Sequence, residues 1–187
     1  MAKVTTGTGD TGYTDLLGQH RVPKFDPRPE TFGTVDEATS ALGMARAAVH
    51  DPKAREIIYQ IQQDLYYLMG ELATPPENYE KMGLRMTAEH VQRLEQHEEA
   101  LKRTVDIPNK FIIPGDTPGG AALDFARTVI RRAERQTVKL LHDEVIHNGE
   151  VVRYLNRLSD LVFILARYVE VTSSLAQRPR DLLASER

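Results

Sequence analysis

The residues most able to do chemistry in this 187-residue chain are basic and closely spaced. Arg127, Arg131 and Arg135 recur every four residues, with Arg132 and Glu134 among them and Asp124 just before. On a helix that spacing lines the three arginines along one flank, with Glu134 beside them. One reading is a solvated face balanced by intrahelical ion pairs, each contributing a few tenths of a kcal/mol. The other is a polyphosphate clamp, because the planar guanidinium fork matches phosphate oxygens. Near the start, Gly7-Thr8-Gly9-Asp10-Thr11-Gly12 is a run of small residues whose amides and hydroxyls can approach a phosphate, with Arg21 and Lys24 close behind. A flexible tail has the same composition. Asn156 interrupts an apolar helical pattern in Tyr154-Leu155-Asn156-Arg157-Leu158-Ser159-Asp160. It is expected to be a buried amide, hydrogen-bonding either a second helix or the sugar or base of a ligand. Phe111 opens the apolar stretch Phe111-Ile112-Ile113-Pro114-Gly115, as core or as one wall of a site for a large planar ligand.

Other chemistries lack their residues. The glycine run satisfies GxGxxG but has neither the preceding strand nor the following helix of a dinucleotide fold. The phosphate-loop pattern GxxxxGK[ST] is missing. One ExxH occurs, Glu144 to His147, whereas a di-iron bundle needs two and two further glutamates. The remaining histidines show no ligand spacing. With no cysteine, there is no disulfide framework and no thiolate site.

The elements that must position these residues read as helices. Thr34 and Glu37 form a capping box for a first helix carrying Val35, Ala38, Ala41, Leu42 and Ala45 inward. A second spans about 53–73, with Ile57, Ile61, Leu65, Leu68 and Leu72 in its stripe and Pro75-Pro76 ending it. A third, about 87–104, places Val91, Leu94, Glu98 and Leu101 on one side, is otherwise strongly charged and is expected on the outside of the bundle. The arginine helix begins at Thr117-Pro118, a cap followed by proline in the first turn. A fifth spans about 150–175. The expected class is all-α, a five-helix bundle in one domain over 1–187: a leader at 1–33 that precedes any helix, a bundle at 34–175 and a polar tail at 176–187.

Composition narrows the partners. A hydrophobic fraction of 41% with 27% charged residues suits a soluble globular core. The net charge of −3 gives no reason to expect nucleic acid or an anionic membrane. No apolar run approaches the roughly 18 residues of a bilayer span, and the N-terminus lacks a signal-peptide core, so the expected location is cytoplasmic.

In order and spacing, Thr6–Thr14, Arg21–Lys24, Gly33–Glu37, Phe111–Gly115, Arg127–Arg135 and Tyr154–Asp160 resemble the PduO-type ATP:cob(I)alamin adenosyltransferases. Relatives often carry lysine where Thr11 stands. The resemblance implies transfer of the 5′-deoxyadenosyl group of ATP to the Co(I) of cobalamin, by a homotrimer with ATP, Mg²⁺ and corrinoid at its subunit boundaries. Thr6, Gly7, Thr8, Gly9, Thr14, Asp15 and Lys24 would then wrap ATP, and Arg131, Glu134, Arg135 and Asn156 would complete that site. Asp36 and Arg127 would face each other between subunits, and Phe111 would occupy the lower face of cobalamin. A cobalamin reductase and a B12-dependent enzyme are the implied further partners. A carrier or sensor that binds ATP and adenosylcobalamin without catalysis would use the same residues.

Overall fold

The computed structural model describes residue 5 and residues 7–18, 21–107, 109 and 111–177. Thr6 and most of the expected polar tail lie outside the described residues. Among the described residues, a two-stranded antiparallel ribbon, β1 (Tyr13–Asp15) with β2 (Arg21–Pro23), precedes six α-helices. These are α1 (Pro27–Ala48), α2 (Pro52–Leu72), the single turn α3 (Tyr79–Met82), α4 (Ala88–Lys102), α5 (Pro118–His142) and α6 (Gly149–Gln177). The chain is helical as expected, with a short ribbon and a one-turn helix that periodicity did not reveal.

Three of the long helices start the same way. Asp26, Asp51 and Thr117 each accept a hydrogen bond from an amide of the first turn, and proline follows each. Proline costs nothing there, because first-turn amides have no intrahelical acceptor. This corrects the expected start of the first helix. Asp26-Pro27 opens α1 seven residues before Thr34, and Pro29 still falls within the turn where its missing N–H is harmless. Thr34 is instead buried inside the helix, its hydroxyl donating to the Glu30 carbonyl at 2.9 Å. Gly33, expected at the end of the leader, is carried in the helix interior.

The long helices pack in the order α2, α1, α5, α6 and α4. The predicted stripe of α2, Ile57, Ile61, Leu65, Leu68 and Leu72, is buried throughout. So are Val91, Leu94 and Leu101 of α4, which packs chiefly on α6. Small residues let α5 sit close to α1. A Cβ on Gly119 would stand 2.8 Å from Val49 Cγ2 and 3.1 Å from Val169 Cγ1, so this turn tolerates little else than glycine.

The leader is not a loose tail. Leu17 N–H donates to the Ala73 carbonyl at 2.9 Å, and Leu16 is buried. Arg28, 6% exposed, then ties the ribbon end of the bundle together. Its Nη1 donates to the carbonyls of Leu72 (2.7 Å) and Thr74 (3.0 Å), and its Nη2 to that of Val145 (2.5 Å). One guanidinium thus satisfies the end of α2 and the α5–α6 turn, in the fork geometry only arginine offers.

Candidate active site

Helix α5 presents its arginines as the spacing required. Arg131 and Arg135 are exposed and make no hydrogen bond or ion pair among the described residues. Arg132 points elsewhere and pairs with Glu37 of α1. The intrahelical balancing that a solvated face would use is confined to Arg127, whose Nε lies 3.5 Å from Asp124 Oδ1. Two neighbouring guanidinium groups, one turn apart and unneutralised, make an anion-attracting flank.

Glu134, between them in sequence, accepts a hydrogen bond from Asn156 Nδ2 at 2.9 Å, and Arg157 Nη1 donates to Asn156 Oδ1 at 3.1 Å. Asn156 is exposed, not the buried amide that its apolar neighbours suggested. Successive helical residues turn through about 100°, so Tyr154, Leu155 and Leu158 enter the core while Asn156 faces out beside α5. Its amide is therefore available on the surface, oriented by a carboxylate on one side and a guanidinium on the other.

The glycine run folds as consecutive turns. Asp10 N–H donates to Gly7 O at 3.3 Å and Gly12 N–H to Gly9 O at 3.1 Å. Gly7 and Gly12 have φ of +72° and +81°, the left-handed region that a side chain would strain. Gly9 has a different reason: a Cβ there would lie 3.0 Å from Lys24 Nζ, so the lysine ammonium is folded over the loop. Lys24 N–H donates to Gly12 O at 2.9 Å. Arg21 Nη2 donates to the Thr8 carbonyl at 2.5 Å, and Arg21 Nη1 lies 3.5 Å from Asp15 Oδ1. Thr14 is half-buried in the ribbon opposite Val22.

Within one chain these pieces remain separate. Among the described residues no hydrogen bond or ion pair joins Lys24, Thr14 or Asp15 to Arg131, Glu134, Arg135 or Asn156, and none joins Asp36 to Arg127. Asp36 is exposed on α1 beside a groove of about 300 Å³ lined by Ser40, Ala41, Met44, Phe125 and Val129. Met44 and Phe125 stand 65% and 58% exposed there. Phe111, just before α5, is wholly exposed and so is not core. No group of three or more His, Cys, Asp or Glu side chains among the described residues is placed to hold a metal ion.

Two features of the site escaped the sequence. Arg28 lies between two prolines in a stretch with no periodicity, so nothing marked it as buried. Arg167 of α6, 4% exposed, donates through Nη2 to Asp124 Oδ2 at 2.5 Å. The i, i+3 spacing of Arg167 and Glu170 was visible, but the partner forty-three positions earlier was not.

Comparison with known proteins identifies relatives of the chain. Residues 4–169 match the family model described as cobalamin adenosyltransferase. The chain is 38% identical to a corrinoid adenosyltransferase of Mycobacterium leprae, over 96% of this chain and 97% of that one. It is also 38% identical to the corrinoid adenosyltransferase PduO of Salmonella typhimurium, over 88% of this chain but 48% of that longer protein. Among solved structures, a variant PduO-type ATP:corrinoid adenosyltransferase from Lactobacillus reuteri complexed with cobalamin and ATP superposes with a TM-score of 0.85. It is 34% identical and matches 92% of this chain and 96% of its own. Another variant of that enzyme, complexed with ATP, gives a TM-score of 0.83 at 33% identity, over 91% and 96% of the two chains. On a family match that spans all but the ends of the sequence, this chain belongs to the cobalamin adenosyltransferase family.

Proposed function

We infer that this protein is a transferase that moves the 5′-deoxyadenosyl group of ATP to the Co(I) of a corrinoid. The cobalt–carbon bond forms as the bond from C5′ to the triphosphate oxygen breaks, and triphosphate leaves. The observation that carries this reading is the flank of α5, where unneutralised Arg131 and Arg135 stand beside the Asn156–Glu134 pair. Reduced cobalt supplies the nucleophile, so the chain needs no general base. What it must provide is alignment and stabilisation of charge on the leaving group, the task of Arg131, Arg135 and Lys24. Asn156 and Glu134, already bonded to each other, offer a donor and acceptors to the ribose. Gly7, Thr8, Gly9, Thr14 and Asp15 would enclose the nucleotide, with Thr6 preceding them. Mg²⁺ fits as a companion of the phosphates rather than a resident of a carboxylate cluster, since no such cluster is formed among the described residues.

The site reads as shared between copies of the chain. The five long helices form the bundle, and a homotrimer would bring the glycine loop of one subunit against the arginine flank of the next. Asp36, which makes no ion pair among the described residues and stands beside exposed Met44 and Phe125, would meet Arg127 of the partner subunit. Phe111, free of the core, would press on the lower face of the corrinoid and displace its axial ligand, which makes Co(II) easier to reduce. A cobalamin reductase would supply the electron and a B12-dependent enzyme would receive the product. No helix among the described residues is long and apolar enough to cross a membrane, which accords with action in the cytoplasm.

The direct test is to mix the protein anaerobically with ATP, Mg²⁺ and chemically reduced cobalamin. A photolabile alkylcobalamin with one equivalent of triphosphate is expected, and Arg131→Ala should slow its formation by about 10²-fold. Binding of both ligands with neither product would make the protein a carrier or sensor instead.

A further inference from the structure

Arg127 is held from behind by a buried group of charges whose members lie on both α5 and α6. Asp124, 3% exposed, divides its carboxylate unequally. Oδ2 accepts from Arg167 Nη2 at 2.5 Å, whereas Oδ1 stands 3.5 Å from Arg127 Nε, a charge contact but too long for a good hydrogen bond. Arg167 is anchored in turn: Nη2 also donates to Glu170 Oε1 at 2.8 Å, and Nε lies 2.7 Å from Glu170 Oε2. Phe163 packs against both guanidinium groups, with Cζ of Arg167 at 5.3 Å and that of Arg127 at 5.9 Å from its ring centroid. The group contains two cations and two anions, which is what allows it to be buried.

The asymmetry has a consequence for Arg127. Were Asp124 unshared, the nearest cation, Arg127, would be drawn into a bidentate pair with it and lost to any external anion. With Arg167 occupying one carboxylate oxygen, Arg127 keeps one weak contact through Nε and the ring beside it. Its side chain, 28% exposed, has terminal nitrogens unengaged among the described residues. We propose that Arg167, acting through Asp124, is a positioning residue that sets Arg127 in place for its role at the subunit boundary, where the nucleotide site is shared. This rests on the part given to Arg127 above.

A double-mutant cycle on kcat/KM for ATP tests the link. Asp124→Asn keeps the shape of the side chain and leaves the Arg167–Glu170 pair intact. In the wild-type background it should lower kcat/KM by about tenfold, and in an Arg127→Ala background by less than twofold, because coupled residues lose their effect together. Equal losses in both backgrounds would mean that Asp124 serves only stability and would overturn the proposal, as would no loss in the wild-type background. If Asp124→Asn does not fold, Arg167→Lys takes its place in the cycle with the same expectations, since lysine keeps the charge but cannot span both carboxylates. An active wild type whose rate is indifferent to Arg127→Ala would overturn the role of Arg127, and the proposal with it. A wild type that transfers no adenosyl group would instead overturn the transferase reading itself.

Discussion

Arg131 and Arg135 illustrate how a single residue acquires function from what it lacks. Six residues of α5 between Asp124 and Arg135 carry charge in close succession, yet Arg132 finds Glu37, Arg127 finds Asp124, and Glu134 takes Asn156. The two arginines left over face outward with their full charge available to a ligand anion. Phe111 is the apolar counterpart. A phenylalanine with its whole surface exposed contributes nothing to the core, so truncating it should not unfold the protein. Phe111→Ala is expected to leave Tm within about 1 °C of wild type and ATP affinity unchanged. Turnover starting from Co(II) should fall sharply, while turnover from pre-reduced Co(I) is largely spared. Steady-state assays from the two oxidation states separate these outcomes, and an equal loss of ATP affinity would count against Phe111 as a corrinoid contact.

At the scale of elements, two junctions join segments that are distant in sequence. The first is Arg28, which connects α1, the end of α2 and the α5–α6 turn through three carbonyls. Replacing it with methionine preserves bulk but strips those carbonyls of their donor. The expected loss is about 3 kcal/mol, or roughly 6–12 °C in Tm for a chain of this length, read by thermal unfolding. The second is the α2–α4 contact at His97. Its Nε2–H donates to Gln60 Oε1 at 3.0 Å, because the Gln60 amide nitrogen is already committed to Glu56. Burial lowers the imidazole pKa below its ordinary 6.5, Arg93 and Lys53 lower it further, and Asp64 opposes them. The unfolded chain therefore binds this proton at a pH where the folded one does not. The His97 contribution to stability is fully present above about pH 6.5 and is lost as pH falls toward the folded value. Urea midpoints measured at pH 7.5 and 5.5 should show a larger drop for wild type than for His97→Gln; an identical drop would mean that His97 titrates as in the unfolded chain.

Over the whole molecule, the candidate site residues that the structure describes remain in separate groups within a single chain. Among the described residues, the ribbon with Lys24 and the arginine flank share no bond, Asp36 makes no ion pair, and Met44 and Phe125 leave an apolar groove beside it. The homotrimer proposed above would resolve each of these at once. Met44→Glu should therefore leave the far-ultraviolet circular dichroism unchanged, since the side chain is 65% exposed in the monomer. It should shift the mass measured by light scattering from trimer toward monomer, and activity should fall in parallel. A monomeric wild type would remove the basis for a shared site.

The long helices were legible from local pattern, because a 3.6-residue period writes the buried face of α2 or α5 directly into the order of residues, whereas most candidate site residues were named only through the family resemblance. Proline and its preceding cap marked α5 correctly, and the arginine spacing survived intact because positions four apart share a flank in any helix. Local signals failed where two of them competed. Thr34 and Glu37 make a plausible cap, but Asp26-Pro27 lies upstream and turns Thr34 into an interior residue. Asn156 misled for a similar reason: its neighbours are apolar, yet its own direction on α6 leads outward to Glu134. What tertiary structure alone decided are the partnerships between residues distant in sequence. Arg28 meets three carbonyls up to 117 positions away, and Arg167 meets Asp124 across two helices. Burial of a charge depends on which opposite charge packing delivers to it, and that is a property of the folded arrangement, not of any window of sequence.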